Sequence, residues 1–178
     1  VIPATDPAVL YGFGLFETLR TYGGIPFLLE EHLERMRRSA RTLLNLRPRL
    51  DFNRIQAIVR QLCAVNSRPD AKIRITLTKS ALIITCEKLT LPRGECVLVT
   101  APFVRSVGVL SGHKTLNYLE NYLARMHAKK AGALDALFVT PSGEVLEGTA
   151  TNVFAIFGTR IITPPLKGIL KGVTREFI

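Results

Sequence analysis

A lysine follows Ser-Gly-His in the stretch LSGHKTLNYLEN, residues 110–121, where an amphipathic helix is expected to begin. Lys114 is either a solvated surface charge or an amine partly withdrawn from water. In the second state its pKa falls and it serves as nucleophile or base. Glu147 poses a similar choice in EVLEGTATN, an acid followed by glycine and small polar residues within an apolar strand pair. It reads as an edge-strand charge or as a carboxylate held in a pocket to bind a cationic ring nitrogen. In GILKGVTRE, residues 168–176, Gly172 lets the backbone approach a ligand and Thr174 offers a hydroxyl where a helix begins. Free N–H groups at a helix start suit a phosphate, although a plain Thr N-cap accounts for the same residues. Arg35 lies at the margin of an apolar helical stripe, beside Leu28, His32 and Ser39. It aims into a cleft or pairs with Glu31 on the surface.

Elements must position these four residues. YGFGLFETLRTYGGIPFLLEEH predicts a hairpin around Gly23–Gly24, with Phe16 and Leu19 as strand residues. A helix follows Pro26: Leu29, Leu33, Met36, Ala40 and Leu43 recur at steps of four, three, four and three. Glu31 with Arg35, and Glu34 with Arg38, are i,i+4 pairs on its flanks. Asp51 is a candidate N-cap for a second helix with Ile55, Ile58, Val59 and Leu62 on one face. Strand-like runs lie at 73–78, 81–86 and 96–101, and FVRSVGVLSG, residues 103–112, reads as an interdomain connection. The helix after Lys114 is expected to bury Leu116, Leu119, Leu123 and Met126. ALFVT, the turn PSG and EVLEGTATNVFAIF predict a second sheet region. Strand-rich stretches with helices to one side make the class α+β.

With 178 residues, 47% of them hydrophobic, the chain can bury a substantial core. No apolar run reaches the length of a membrane span, and VIPATDPAVLYGFG lacks the pattern of a secretory signal. Cys63, Cys86 and Cys96 are odd in number and widely spaced, which fits reduced thiols of a cytoplasmic protein. The net charge is +10, and seven arginines crowd Arg35–Arg54 against one acid, Asp51. They are interleaved with an apolar stripe, and neither RNP aromatics nor zinc-finger spacings accompany them. Attraction of anionic small molecules is therefore the favoured reading over nucleic acid. No metal-binding, P-loop or serine-nucleophile motif is present.

An amine nucleophile, an acid for a ring nitrogen, and an arginine with a helix start for a phosphate together describe a pyridoxal 5'-phosphate (PLP) site. The sequence resembles the fold type IV (class IV) PLP-dependent enzymes: branched-chain aminotransferase, D-amino acid aminotransferase and aminodeoxychorismate lyase. The likeness runs through YGFGLFETLR, PFLLEEHLERMRRSA, GHKTLNYLENYLARMHAKKAGALDALF, GEVLEGTATNVF and TPPLKGILKGVTRE, in that order. It implies that Lys114 forms the Schiff base with PLP and shuttles the proton, and that Glu147 pairs with the pyridine nitrogen. It also implies that Arg35, with Val173 and Thr174, holds the phosphate, and that Tyr118 lies near the phenolic oxygen. Asn152 falls on a pocket-lining strand, with Phe16 and Asn117 as further substrate-pocket candidates.

The implied fold has a smaller N-terminal α/β sandwich over residues 1–104 and a connection at 105–112. A larger C-terminal pseudo-barrel domain begins in 113–178, usually within a homodimer. Three departures stand out. Phe13 replaces a common Asp, the loop between ITLTKS and ALIITC is short, and the chain ends at Ile178, where relatives continue. The expectation is that part of the barrel is missing. An aminotransferase acting on an amino acid and a 2-oxo acid is the leading reading, supported by Tyr118. Phe13 and GLFETLR lean toward the lyase.

Overall fold

The computed structural model describes residues 2–105 and 107–178. Ser106, inside the expected connection, lies outside the described residues. The chain forms two compact units: residues 1–91 with 114–117, and residues 92–113 with 118–178. The sequence-based boundary at residue 104 therefore differs from the observed division, which assigns residues 92–113 to the second unit and Lys114–Asn117 to the first.

The first unit opens with α1 (Pro7–Tyr11), capped by the Asp6 side chain, which accepts from Ala8 N at 2.8 Å. Strand β1 (Leu15–Tyr22) turns into β2 (Ile25–Pro26) through Gly23 and Gly24, whose φ values are 57° and 83°. Two consecutive positive φ angles are what a tight right-twisted hairpin demands, and glycine adopts them without strain. Helices α2 (Leu29–Leu44) and α3 (Phe52–Val65) follow, then β3 (Ala71–Leu77) and β4 (Leu82–Lys88). Asp51 caps α3 as expected, accepting from Arg54 N. The sheet order is β2-β1-β3-β4, and every pair is antiparallel.

Alternation decides which face of this sheet is buried. Leu15, Leu19, Ile73, Ile75 and Leu77 join Leu29, Leu33, Met36, Ala40, Ile55 and Val59 in one core. Full burial of each large aliphatic side chain contributes roughly 1.5–3 kcal/mol. The same period of two places Glu17, between Leu15 and Leu19, on the core-facing side.

The second unit contains β5 (Leu98–Thr100), α4 (Leu119–Lys130), β6 (Asp135–Val139) and β7 (Val145–Gly148). Strand β5 is parallel to β6, and β6 is antiparallel to β7. A second sheet is the hairpin of β8 (Ala155–Phe157) and β9 (Arg160–Ile162), and α5 (Val173–Phe177) ends the chain.

Helix α4 corrects one expectation. Its buried residues are Asn121, Ala124 and Ala128, whereas Leu119 is 68% exposed and Met126 53%, with Leu123 also exposed. The small alanines let the helix axis come close to Ala136 and Phe138, which a leucine face would hold away. Leu116 precedes the helix, which begins at Leu119 rather than beside Lys114. No described helix is long and apolar enough to cross a membrane.

Candidate active site

The candidate residues divide between the two units. In the first, the backbone of the lysine segment is hydrogen-bonded to the edge of β1. Phe16 N donates to Lys114 O at 2.9 Å, Leu116 N donates to Gly14 O at 2.9 Å, and Thr115 pairs with Leu15 as an isolated bridge. Lys114 is thus held on both sides along the main chain, while its side chain is half-buried. Its Nζ lies 4.6 Å from the centroid of the Phe16 ring, and Arg74 Cζ lies 3.7 Å from the same centroid. Phe16 is buried and forms an apolar support for both cations. Asn117 is exposed and donates its amide to Gly12 O at 3.1 Å, tying the segment to the end of α1.

Arg35 is 6% exposed, and the surface pair with Glu31 is not made. Its Nε donates to Glu17 Oε1 at 2.8 Å and its Nη2 to Glu17 Oε2 at 2.5 Å, and His32 Nδ1 lies 2.7 Å from the same Oε2. Burial pushes the Glu17 carboxyl up. The hydrogen bonds and charges of Arg35 and His32 outweigh burial and hold it below its ordinary value. The expected Glu34–Arg38 pair is likewise replaced, since Arg37 binds Glu30, Glu34 and the Leu50 carbonyl. With Arg35 and Arg37 committed inside the unit, the arginine-rich segment is less of a free basic surface than its composition suggests.

In the second unit Glu147 is 7% exposed near the end of β7. It is not an edge-strand surface charge. Arg105 Nη1 donates to its Oε1 at 2.5 Å. Leu170 N and Asn152 Nδ2 donate to its Oε2 at 3.1 and 3.3 Å. Asn152 Nδ2 also reaches Leu170 O at 3.0 Å, tying β7 to the loop before α5. Gly172 serves this contact. It caps α5 at φ −68°, and a Cβ built there would collide with the Asn152 amide. The group approaching the Gly172 backbone is Asn152. Val173 is buried and Thr174 exposed at the start of α5.

Tyr118 donates to Thr149 O at 2.5 Å, and Asn121 Nδ2 donates to the same carbonyl at 2.7 Å. Burial, and after it the negative charge of Glu147, raise the Tyr118 phenol above its usual value, so it remains a neutral donor. Asp135 braces the turn after β7, accepting from Thr149 Oγ1 at 2.5 Å and Thr151 Oγ1 at 3.2 Å.

A model of the family described as amino-transferase class IV matches residues 14–178. The chain belongs to the class IV aminotransferase family. Aminodeoxychorismate lyase of Bacillus subtilis is 32% identical over 198 residues, covering 100% of this chain and 67% of the relative. A branched-chain aminotransferase from the thermophilic archaeon Thermoproteus uzoniensis, crystallised with norvaline, superposes with a TM-score of 0.88 at 25% identity. That match covers 99% of this chain and 67% of the other. The PLP-bound form of a hypothetical aminotransferase from Mycobacterium tuberculosis superposes at 0.85 with 27% identity, over 99% and 70% of the two chains. The chain spans about two thirds of the length of two curated relatives it matches, 66% of one and 67% of the other.

Enzymes of this family are PLP-dependent. Each unit by itself carries donor types that suit such a group: a half-buried amine and a buried guanidinium in the first, and a nine-tenths-buried carboxylate in the second. Sequence reasoning missed the residues that hold these donors in place: Glu17, His32, Arg105, Asn121, Asp135 and Thr149. Glu17 carried a usable signal, an acid on the apolar face of a period-two strand. His32 and Arg35, three apart on the stripe, carried another. Arg105 in an irregular stretch offered no periodic cue.

Proposed function

We propose that the protein is a PLP-dependent aminotransferase that moves an amino group between an amino acid and a 2-oxo acid. The observation that carries this reading is the lysine of the family motif, fixed through its own backbone to β1 with its amine over a buried ring. Bound PLP supplies an aldehyde for covalent attachment and a ring that withdraws electrons from the substrate's Cα. Lys114 Nζ would hold that aldehyde carbon covalently and, when freed, would move the proton at the substrate's Cα. Glu147 would keep the ring nitrogen protonated. Arg35, the Val173 N–H and the Thr174 hydroxyl would hold the phosphate, and Tyr118 would serve the ring oxygen. Phe16, Asn117 and Asn152 border the substrate. Such an enzyme works on small molecules in the cytoplasm, as a homodimer, without nucleic acid or membrane.

A second reading is favoured by the similarity to the Bacillus subtilis lyase: elimination of pyruvate from aminodeoxychorismate to give 4-aminobenzoate. Both reactions begin with the same proton removal by Lys114 and part afterwards. The test is full-length protein loaded with PLP and given a panel of amino acids, then aminodeoxychorismate. Loss of the visible absorption band with formation of 2-oxo acids supports the aminotransferase. An unchanged band with amino acids, but pyruvate from aminodeoxychorismate, supports the lyase. No visible band after incubation with PLP refutes both.

A further inference from the structure

Glu147 does not stand alone. Arg105 places one guanidinium nitrogen on Glu147 Oε1 at 2.5 Å and the other on Asn121 Oδ1 at 2.8 Å, and its Cζ lies 4.3 Å from the centroid of Phe138. The Asn121 amide is itself oriented, because its Nδ2 donates to Thr149 O. The guanidinium is therefore gripped by a carboxylate, an oriented amide and a buried ring. Its side chain is 16% exposed and that of Glu147 9%, so water screens the pair little. The phenol of Tyr118, on the same Thr149 carbonyl, remains neutral.

We propose that Arg105 is a positioning residue that keeps the Glu147 carboxylate ionised and aimed, so that the shared proton resides on the cofactor's ring nitrogen. This rests on the aminotransferase reading above and deepens it. A carboxylate and a pyridine nitrogen facing each other share one proton. In a poorly solvated site the neutral arrangement, with the proton on the carboxyl, is favoured. A fixed positive charge hydrogen-bonded to the carboxylate reverses that preference, because it stabilises the anion in both position and charge. Asn121 and Phe138 hold the guanidinium at the carboxylate and stop it from swinging to solvent. Glu147 then retains one oxygen, Oε2, on Leu170 N and Asn152, which fixes its plane.

The test reads the ring nitrogen directly. Full-length holoenzyme is prepared with PLP carrying 15N in the ring, and the nitrogen's chemical shift reports whether it is protonated. The wild type is expected to show the protonated position. Arg105→Gln removes the charge while leaving an amide donor on a shorter side chain, and is expected to move the signal to the unprotonated position. Arg105→Lys restores a charge and is expected to return it. A protonated nitrogen in Arg105→Gln, or an unprotonated one in Arg105→Lys, overturns the proposal. If Arg105→Gln takes up no cofactor, the Arg105→Lys spectrum decides by the same criterion. A wild type with no covalent attachment at Lys114 instead refutes the PLP reading, and this proposal falls with it. That outcome is distinct from a wild type that binds normally beside an insensitive Arg105 variant.

Discussion

Replacing Glu17 by alanine tests the first unit most severely. Its carboxylate is 1% exposed and accepts two hydrogen bonds from Arg35 and one contact from His32. Removing it takes the carboxylate away from the Arg35 guanidinium, itself 6% exposed. Breaking one side of a buried ion pair costs about 3–5 kcal/mol. For a chain of this size each kcal/mol lowers the melting temperature by about 2–4 °C, so the fall should be on the order of 10 °C. Glu17→Gln keeps an acceptor and much of the shape, and should lose less.

The effect has a defined pH dependence. The folded-state Glu17 carboxyl lies below its ordinary value. Its stabilisation is therefore fully present above the unfolded-state value and disappears as pH falls through the folded-state one. The gap between wild type and Glu17→Ala should be wide at neutral pH and close in strong acid. Urea unfolding of the full-length protein, followed by circular dichroism and by hydrogen exchange at the amides of β1 and α2, measures it. A loss below about 1 kcal/mol at neutral pH, or a gap that does not change with acid, contradicts a buried pair that depends on ionised Glu17.

Other outcomes follow from the same contacts. Gly172→Ala should push the Asn152 amide off Glu147 and Leu170, costing about 1–3 kcal/mol as an overpacking change. Its effect should be non-additive with Asn152→Ala in a double-mutant cycle. Tyr118 should ionise above the ordinary tyrosine range in an alkaline absorbance titration, because burial and then the Glu147 charge both oppose the phenolate, and Tyr118→Phe should remove that late step. Leu33→Ala, at a fully buried position in the first core, should destabilise by about 2–5 kcal/mol in urea unfolding.

What the sequence revealed depended on whether local chemistry or distant packing decided the outcome. The hairpin at Gly23–Gly24 and the Asp51 cap are local, and both were legible from residue type alone. The stripe Leu29, Leu33, Met36 and Ala40 was legible because one core takes up that whole face. Helix α4 was misread because its leucine stripe suggested burial, whereas Ala124 and Ala128 are the residues small enough to pack on β6. Arg35 was singled out, but its partner was not. A helix wheel shows the neighbours at i±4 and cannot show a strand residue such as Glu17. Asn152 and Gly172 were each noted without their mutual contact, which links residues far apart in the chain. Arg105 was invisible because an arginine in irregular backbone has no pattern to violate.

The most direct test is to locate the cofactor attachment. Full-length protein incubated with PLP is reduced with borohydride, digested, and its peptides mapped by mass spectrometry. A single pyridoxyl-modified residue, Lys114, is expected, and none in Lys114→Ala protein that remains folded. Modification at another lysine in the wild type, or a reduced adduct that survives Lys114→Ala, would contradict it.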